Sequence, residues 1–431
     1  MRYSIASQAL CGAVTVSAMA LPNVQVQKRA ELVDLSDFQS FETMDPQEIL
    51  DNANETTKEL FSQGVFNDGP MDSLGNFLSD VKGSSKDKSP FGLFEDIQDK
   101  LDDKFEEIKD KTQQPSEDAS SEVESGTSLV VDDSQKASNA AAAGTCDASN
   151  PQIRVEWSSY ADSDRTAFVD AIKCLMDKPS GGSQFTGSQS RYEDLASTHR
   201  QMTANIHGTA LFMVWHRYFT WVFEQLLRDE CGLTKAMPWW DETKHAGNFA
   251  GSDIFTDAWF GNLPAKTADG QGTCIESGAF AGTTLHVGPG TANSDHCLSR
   301  GVDESQTAQA SADYTNSCLS QGDYDDFRGC FELGPHGYGH NGIGAVMQEV
   351  SSSVGDPIFF MHHSFVDHTF RIWQNADSSR TQTIDGCADT ADPCTPISLD
   401  TVMSTNDLQP DITVGEALKT LGGTFCYRYD Y

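Results

Sequence analysis

The histidines of this chain are confined to one part of it. All eleven lie between residues 199 and 368, and six of them can be grouped into two triplets. The triplets are His199, His207 and His216, then His336, His340 and one of the adjacent pair His362 and His363. Three neutral imidazoles can hold a transition metal and leave one coordination position open. The pattern therefore predicts a fold in which separate stretches of chain converge on a pair of metal ions.

Helical patterns surround both triplets. Apolar residues recur at helical spacing around His199, and an aromatic-rich stretch from about 210 to 228 predicts a second helix that ends at Gly232. A third helix is predicted to begin at Asp356-Pro357, a capping residue followed by a proline suited to the first turn, and to continue past Trp373.

Spacing restricts how the first triplet can meet. His207 and His216 are nine residues apart, so they would point in opposite directions on one continuous helix. We therefore expect His207 to precede the second helix, with the chain breaking at Gly208.

In the second triplet, His336 and His340 are four residues apart and can face the same way. Spacing alone does not distinguish the third ligand, because His362 and His363 are adjacent. Asp367 lies one turn after His363, where a carboxylate can orient groups around a ligand, so we prefer His363.

The donor set favours copper. Di-iron bundles use glutamates and Glu-x-x-His motifs, which are absent at matching positions, and zinc hydrolases commonly add a carboxylate or a visible general base. Six imidazoles without thiolate or carboxylate suit copper, which also has the highest affinity among the divalent first-row metals.

Charge and the N-terminal sequence indicate the setting. The chain has 64 acidic against 29 basic residues, a net charge of -35, which argues against nucleic acid or an anionic membrane as a partner. Residues 1–20 resemble a signal peptide ending at Ala18-Met19-Ala20, so we expect a secreted protein. The dibasic pair Lys28-Arg29 is a possible processing site.

Composition divides the rest of the chain in two. Residues 21–145 lack Cys, His and Trp and predict an acidic, largely disordered leader or pro-segment. Within it, apolar residues between 94 and 108 predict an amphipathic helix, which could be free in solvent, dock on the main domain or plug its site. Residues 146–431 predict the folded domain, whose ten cysteines permit up to five disulfides.

Two motifs resemble those of the tyrosinase and catechol oxidase family. The first is the stretch 207–219 followed by Pro238-Trp239-Trp240-Asp241, and the second comprises 334–340 and 356–367 with Trp373. The resemblance implies a mainly α fold, in which a four-helix bundle with long disulfide-braced loops holds two copper ions. It also implies O2 and phenolic small molecules as substrates, with oxidation of o-diphenols to o-quinones and possible hydroxylation of monophenols.

The resemblance extends to residues around the histidines. Phe359 resembles an aromatic residue near the substrate entrance, while Arg217 and Asp367 resemble partners that support the ligands or join the helices; ordinary helix packing is the alternative for all three. Gly337 stands where members that hydroxylate monophenols well often have Asn, although Asn341 follows nearby. We therefore expect diphenol oxidation with weak or variable monophenol hydroxylation.

Two further features differ among family members. No Cys lies between His199 and His207, so the Cys–His cross-link of many fungal members is not expected. Tyr427-Arg428-Tyr429 resembles the motif that closes the central domain, and the sequence stops two residues later, as in a short secreted fungal form. Any latency would then come from the acidic leader, or the protein would have none. Alternatives to diphenol oxidation are an o-aminophenol oxidase, a non-catalytic O2-binding copper protein and a zinc protein.

Overall fold

The computed structural model describes residues 31–36, 38–46, 146, 148–268 and 270–431. The longer helices are α1 (Asp162–Asp177), α2 (Arg191–Ile206), α3 (Phe212–Cys231) and α8 (Ile358–Asn375). Shorter ones are α4 (Glu304–Thr307), α5 (Ala312–Leu319), α6 (Tyr324–Phe331), α7 (Gly337–Ile343) and α9 (Val414–Ala417). The predicted mainly α fold is confirmed.

The four long helices form a bundle. Helix α3 packs against α1, α2 and α8, and α1 also packs against α2. Large aromatic side chains fill the space between them, as in the parallel stacking of Phe223 on Phe360 with ring centroids 3.7 Å apart. Gly232 ends α3 in the left-handed conformation at φ 73°, as predicted. The bundle therefore holds in place the helices that carry three of the six predicted ligands, His199, His216 and His363.

Helix α8 begins where the sequence predicted. The carboxylate of Asp356 accepts a hydrogen bond from the Ile358 backbone N–H at 3.1 Å and forms a fully buried ion pair with Arg300 at 2.7 Å. One charged group thus caps the helix and connects it to the loop region.

The second histidine triplet begins in an irregular turn. Residues Glu332–His336 form a π-helical turn between α6 and α7, with Pro335 inside it and Gly334 at φ -97°, ψ -118°. Because proline supplies no backbone N–H, it interrupts the regular helical hydrogen bonds. His336 ends the π-helical turn and His340 lies within α7. The turn lets both side chains face one site.

Short strands and disulfides brace the loops. The strands are β1 (Leu32–Val33), β2 (Gln152–Arg154), β3 (Gly272–Cys274), β4 (Thr284–Leu285), β5 (His296–Cys297), β6 (Ser299–Arg300), β7 (Val402–Met403), β8 (Ile412–Thr413) and β9 (Tyr427–Tyr429). They pair as β1-β3-β6, β2-β9, β4-β5 and β7-β8. All ten cysteines of the predicted domain are paired, as 146–426, 174–231, 274–297, 318–330 and 387–394.

A buried charge cluster closes the bundle behind the histidines. Asp367 of α8 accepts hydrogen bonds from Arg217 of α3 at 2.5 Å and from the Tyr427 and Tyr429 hydroxyls at 2.5 and 2.6 Å. Arg154 of β2 adds a contact at 3.4 Å and pairs with Glu224 at 2.8 Å. The C-terminal strand β9 is therefore tied to two bundle helices.

Part of the predicted leader belongs to the fold. Residues 31–36 and 38–46 lie against the main domain: β1 pairs with β3 in antiparallel register, and Leu35 and Phe41 are buried. The expectation of a largely disordered leader is therefore wrong for these residues, because their backbone groups and apolar side chains find partners in the domain. The predicted helix between 94 and 108 and the signal-like residues 1–20 lie outside the described residues. In the part of the chain that is described, no helix is both long and apolar enough to span a bilayer.

Candidate metal centre

The first triplet is assembled as predicted. His199 lies on α2, His207 follows that helix in extended conformation, and His216 lies within α3. Gly208, at φ +66°, makes the break between the helices. Each ring donates its Nδ1–H to a backbone carbonyl at 2.8–3.1 Å, which fixes its orientation: His199 to Ser351, His207 to Thr203 and His216 to Phe212.

Two rings of the second triplet are held in the same way. The Nδ1–H of His336 bonds to the Glu332 carbonyl at 2.9 Å, and that of His340 bonds to the Met347 carbonyl at 2.8 Å. With Nδ1 protonated and bonded, the free lone pair of each neutral ring is on Nε2. The backbone thus selects the tautomer that a metal ligand requires.

Burial keeps these imidazoles neutral. It lowers the pKa of His199 to about 3, with help from His207, and the pKa of His207 to about 4. Burial first, and neighbouring imidazoles second, also lower the pKa values of the other four histidines in the predicted set, which are His216, His336, His340 and His363. At neutral pH all six rings are therefore able to donate a lone pair.

The Nε2 atoms point at one another rather than at hydrogen-bond donors. Those of His199 and His216 are 3.5 Å apart, and those of His340 and His363 are 3.3 Å apart. The Nε2 atoms of His207 and His336 are buried and have no hydrogen-bond partner among the described residues. Converging, unpartnered lone pairs are costly unless a cation lies between them, and the distances suit two ligands bound to one ion at about 2 Å each. The residues fit a metal in each triplet.

The two triplets lie side by side. The rings of His216 and His363 stack at 4.4 Å with an interplanar angle of 13°, and those of His207 and His336 lie 6.3 Å apart. Phe212 packs against both His216 and His336, at 4.8 and 4.6 Å. The sites therefore form one binuclear centre with an apolar wall.

The structure brings both His362 and His363 to the second site. Each offers a ring nitrogen within 4.8 Å of those of His336 and His340. The Nδ1 of His362 contacts the buried carboxylate of Glu242 at 2.6 Å, while its Nε2 has no partner in the described part of the chain. Proximity alone therefore does not separate the two histidines.

The remaining predicted site residues occupy different positions. Phe359 is fully buried and contacts His199 at 5.3 Å and His363 at 4.1 Å, so its ring touches both triplets. Arg217 and Asp367 form the buried pair at the back of the bundle, one helical turn or less from ligand histidines. Neither Arg217 nor Asp367 lies on the side of the centre that faces away from the bundle.

Gly337 and Asn341 contact the N-terminal residues. A Cβ on Gly337 would lie 2.7 Å from the carbonyl oxygen of Glu42. The Asn341 amide accepts a hydrogen bond from the Phe41 N–H at 3.0 Å and donates one to the Phe41 carbonyl at 2.9 Å. Asn341, which follows His340 in the sequence, thus holds a residue of the leader.

Sequence reasoning missed three residues near the centre. Glu332 accepts a hydrogen bond from the Gly208 N–H at 2.7 Å and pairs with Arg328 at 2.8 Å, which links the two triplets. Burial raises the pKa of Glu332, although the charge of Arg328 acts in the opposite direction and lowers it. Glu242 supports His362, and Phe41 covers the histidines. Of these three residues, only Glu332 could have been recognised from the local sequence, because it lies four residues before His336.

Comparisons with known proteins agree with this geometry. Residues 189–376 match the family model described as the common central domain of tyrosinase. Tyrosinase P of Aspergillus terreus is 28% identical over 66% of this chain and 93% of its own length, and a tyrosinase-like protein of Diaporthe leptostromiformis, phomQ1, is 30% identical over 65% and 78%.

The chain belongs to the tyrosinase family. Among solved structures, a glycine-to-asparagine mutant of the polyphenol oxidase from Thermothelomyces thermophila superposes with a TM-score of 0.58, at 27% identity over 66% of this chain and 90% of that one. Members of the tyrosinase family are oxidoreductases with a binuclear copper site, which the two groups of histidines match. The copper prediction is therefore confirmed at the level of the family.

Proposed function

We propose that this tyrosinase-family protein oxidises o-diphenols to o-quinones with O2 and hydroxylates monophenols weakly. The observation that carries the proposal is the pair of adjacent histidine groups whose Nε2 lone pairs converge within an apolar wall. Two copper ions held by these histidines would supply the redox chemistry: each diphenol would give up two electrons and two protons, so that two diphenols reduce one O2 to two waters.

The residues of the chain prepare the centre for this reaction. Backbone carbonyls fix five rings through Nδ1, so little reorganisation is needed when metal or substrate binds. The rings of Phe212 and Phe359 exclude water from the side facing the bundle. The side of His207, His336 and His340 faces away from these two rings and is covered by Phe41, so we place the substrate entrance there.

The diphenol preference is supported by Gly337. A glycine beside His336 offers no side chain to orient a water or base that would deprotonate a monophenol. A catechol is more acidic than a simple phenol and carries two adjacent oxygens, so it would need less assistance in losing its protons. We therefore place o-diphenols before monophenols and o-aminophenols as substrates.

For the third ligand of the second site we propose His363. Its Nε2 lies 3.3 Å from that of His340, and its ring stacks on His216 of the other triplet. His362, bound through Nδ1 to Glu242, would then stand beside the metal as a supporting residue.

The proposal is tested on full-length protein loaded with copper. We expect two coppers per chain, oxygen consumption with catechol, slower oxidation of 2-aminophenol, and little with 4-methylphenol. His340→Ala should bind less copper and lose activity by about 100-fold or more. His296→Ala, outside both triplets, is the control and should behave as the parent. Full copper content and turnover in His340→Ala would contradict the ligand assignment, and reversible O2 binding without turnover would favour an oxygen carrier.

The choice between the adjacent histidines needs its own pair of variants. His363→Ala should lose one copper, whereas His362→Ala should retain both and lose rate only. The reverse result would assign the ligand to His362.

We also propose that the protein is secreted, with residues 1–20 as signal peptide and 146–431 as the copper domain. Five disulfides support an oxidising compartment. Mass spectrometry of the protein from culture medium would identify the N-terminus and test this assignment.

A further inference from the structure

The described N-terminal residues 31–36 and 38–46, here named the cap segment, cross the domain toward the metal centre. Strand β1 extends the β3-β6 sheet, with Leu32 opposite Thr273 and Val33 opposite Gly272. Beyond it, Leu35 is buried and Phe38 packs on the core. The segment then reaches the histidines, about 300 residues away in the chain.

Phe41 of the cap segment lies directly on the metal centre. Its ring stacks on His340 with centroids 4.0 Å apart and an interplanar angle of 21°. It also meets His336 edge-on at 5.2 Å and His207 at 5.8 Å, so it contacts ligands from both triplets. Phe41 is only 9% exposed. The Phe41 ring therefore lies over histidines of both groups, and it has no oxygen to oxidise.

The backbone on both sides of Phe41 is anchored. Besides the two bonds to Asn341, the Gln39 N–H donates to the Glu349 carboxylate at 2.8 Å, and the Gln39 carbonyl accepts from the Val350 N–H at 3.0 Å. Further along, the Met44 N–H donates to the Leu333 carbonyl at 2.7 Å. These contacts hold the peptide extended across the centre and fix the direction of the Phe41 ring.

The domain surface leaves room for this peptide. With any larger residue at Gly337, the Cβ would approach the Glu42 carbonyl to 2.7 Å and the Thr43 methyl group to 3.1 Å. The glycine therefore suits the passage of the cap segment as well as the access of substrate.

We propose that the cap segment is an autoinhibitory element, in which Phe41 occupies the place of the substrate ring until the chain between residues 46 and 146 is cut. This inference rests on the proposed function. No cysteine lies between residues 12 and 145, so after such a cut only non-covalent contacts retain the segment. A cut at Lys28-Arg29 would leave it attached, since that pair precedes the segment. Cleavage removes the high effective concentration that the connection provides, and the peptide can leave.

The test uses the full chain with a specific protease site inserted between residues 115 and 144. We expect the uncut, copper-loaded protein to oxidise catechol slowly, and cutting to raise kcat/KM by about tenfold or more as the peptide dissociates. Phe41→Ala should raise the rate without cutting. Leu32→Ala, a residue that is 55% exposed at the start of the segment, is the control and should leave the uncut protein slow.

A second measurement does not depend on turnover. A synthetic peptide of residues 31–46 should bind the cut, metal-free domain in calorimetry, and the same peptide with Phe41→Ala should bind about tenfold more weakly or worse. The parent peptide should also compete with catechol in the copper-loaded enzyme.

The outcomes separate the two proposals. Equal catechol turnover before and after cutting, or loss of activity when the segment leaves, would overturn autoinhibition and show the segment to be a permanent wall of the substrate site. Equal binding of the two peptides would overturn the role of Phe41. Absence of phenol oxidation in the cut and Phe41→Ala proteins, with both coppers bound, would instead overturn the proposed function.

Discussion

Replacing Asp367 by Asn would test how the bundle holds its two ligand-bearing helices together. The carboxylate is 2% exposed and accepts short hydrogen bonds from Arg217, Tyr427 and Tyr429. Asn keeps the shape but removes the charge. Arg154 would keep Glu224 as a partner, whereas Arg217, also buried, would lose its only ion-pair partner among the described residues.

The size of the expected destabilisation follows from the buried charge of Arg217, which Asp367→Asn would leave without its ion-pair partner. Removing one partner of a buried ion pair costs about 3–5 kcal/mol, mostly through the charge left behind. For a domain of this size, roughly 2–4 °C per kcal/mol gives a fall in Tm of roughly 6–20 °C. Against a total stability of about 5–15 kcal/mol, such a loss is large but need not prevent folding.

The assay is urea unfolding of the metal-free protein, because bound copper would add its own stabilisation. Asp170→Asn is the control: it is an exposed carboxylate on α1, and its change should stay within about 0.5 kcal/mol. If Asp367→Asn were as stable as the control, the charge cluster would not be what ties β9 and α8 to α3, and our reasoning about it would be wrong.

The remaining predictions concern the pH dependence of stability and the left-handed turn at Gly232. Burial alone would raise the pKa of Asp367, but the charges of Arg217 and Arg154 and the tyrosine hydroxyls outweigh it and lower the pKa below its usual range. The stabilisation by the Asp367 carboxylate is therefore present above a pH of about 3.9 and lost as the pH falls further, so below pH of about 4 the parent protein should lose stability more steeply than Asp367→Asn. Parallel stability curves in urea titrations at these pH values would contradict this prediction. Gly232→Ala, at φ +73°, should cost about 1 kcal/mol, whereas Gly329→Ala within α6, where a Cβ meets nothing within 4 Å, should be neutral or stabilising. Equal thermal shifts for the two variants would refute the role of the left-handed turn.

The cap segment shows where reasoning from composition fails. Residues 21–145 are acidic and poor in core-forming side chains on average, which correctly describes a stretch unable to build its own core. The average composition did not reveal the cap segment, which needs no core of its own because the domain supplies the sheet edge for β1 and the pocket for Phe41. Asn341 was noticed in the sequence, but its partner Phe41 lies 300 residues earlier and left no local signal.

The sequence by itself predicted three of the four long helices, α2, α3 and α8, the break at Gly208 and the two groups of histidines that the structure brings together. These follow from local chemistry: side-chain periodicity, backbone freedom at glycine and the affinity of imidazole for metals. Tertiary structure alone decided that the Ser351 carbonyl orients His199, how Glu242 and His362 meet, and that Phe41 covers the centre. Those contacts join residues distant in the chain, and a backbone carbonyl acceptor is the same chemical group in every residue, so no sequence pattern marks it in advance.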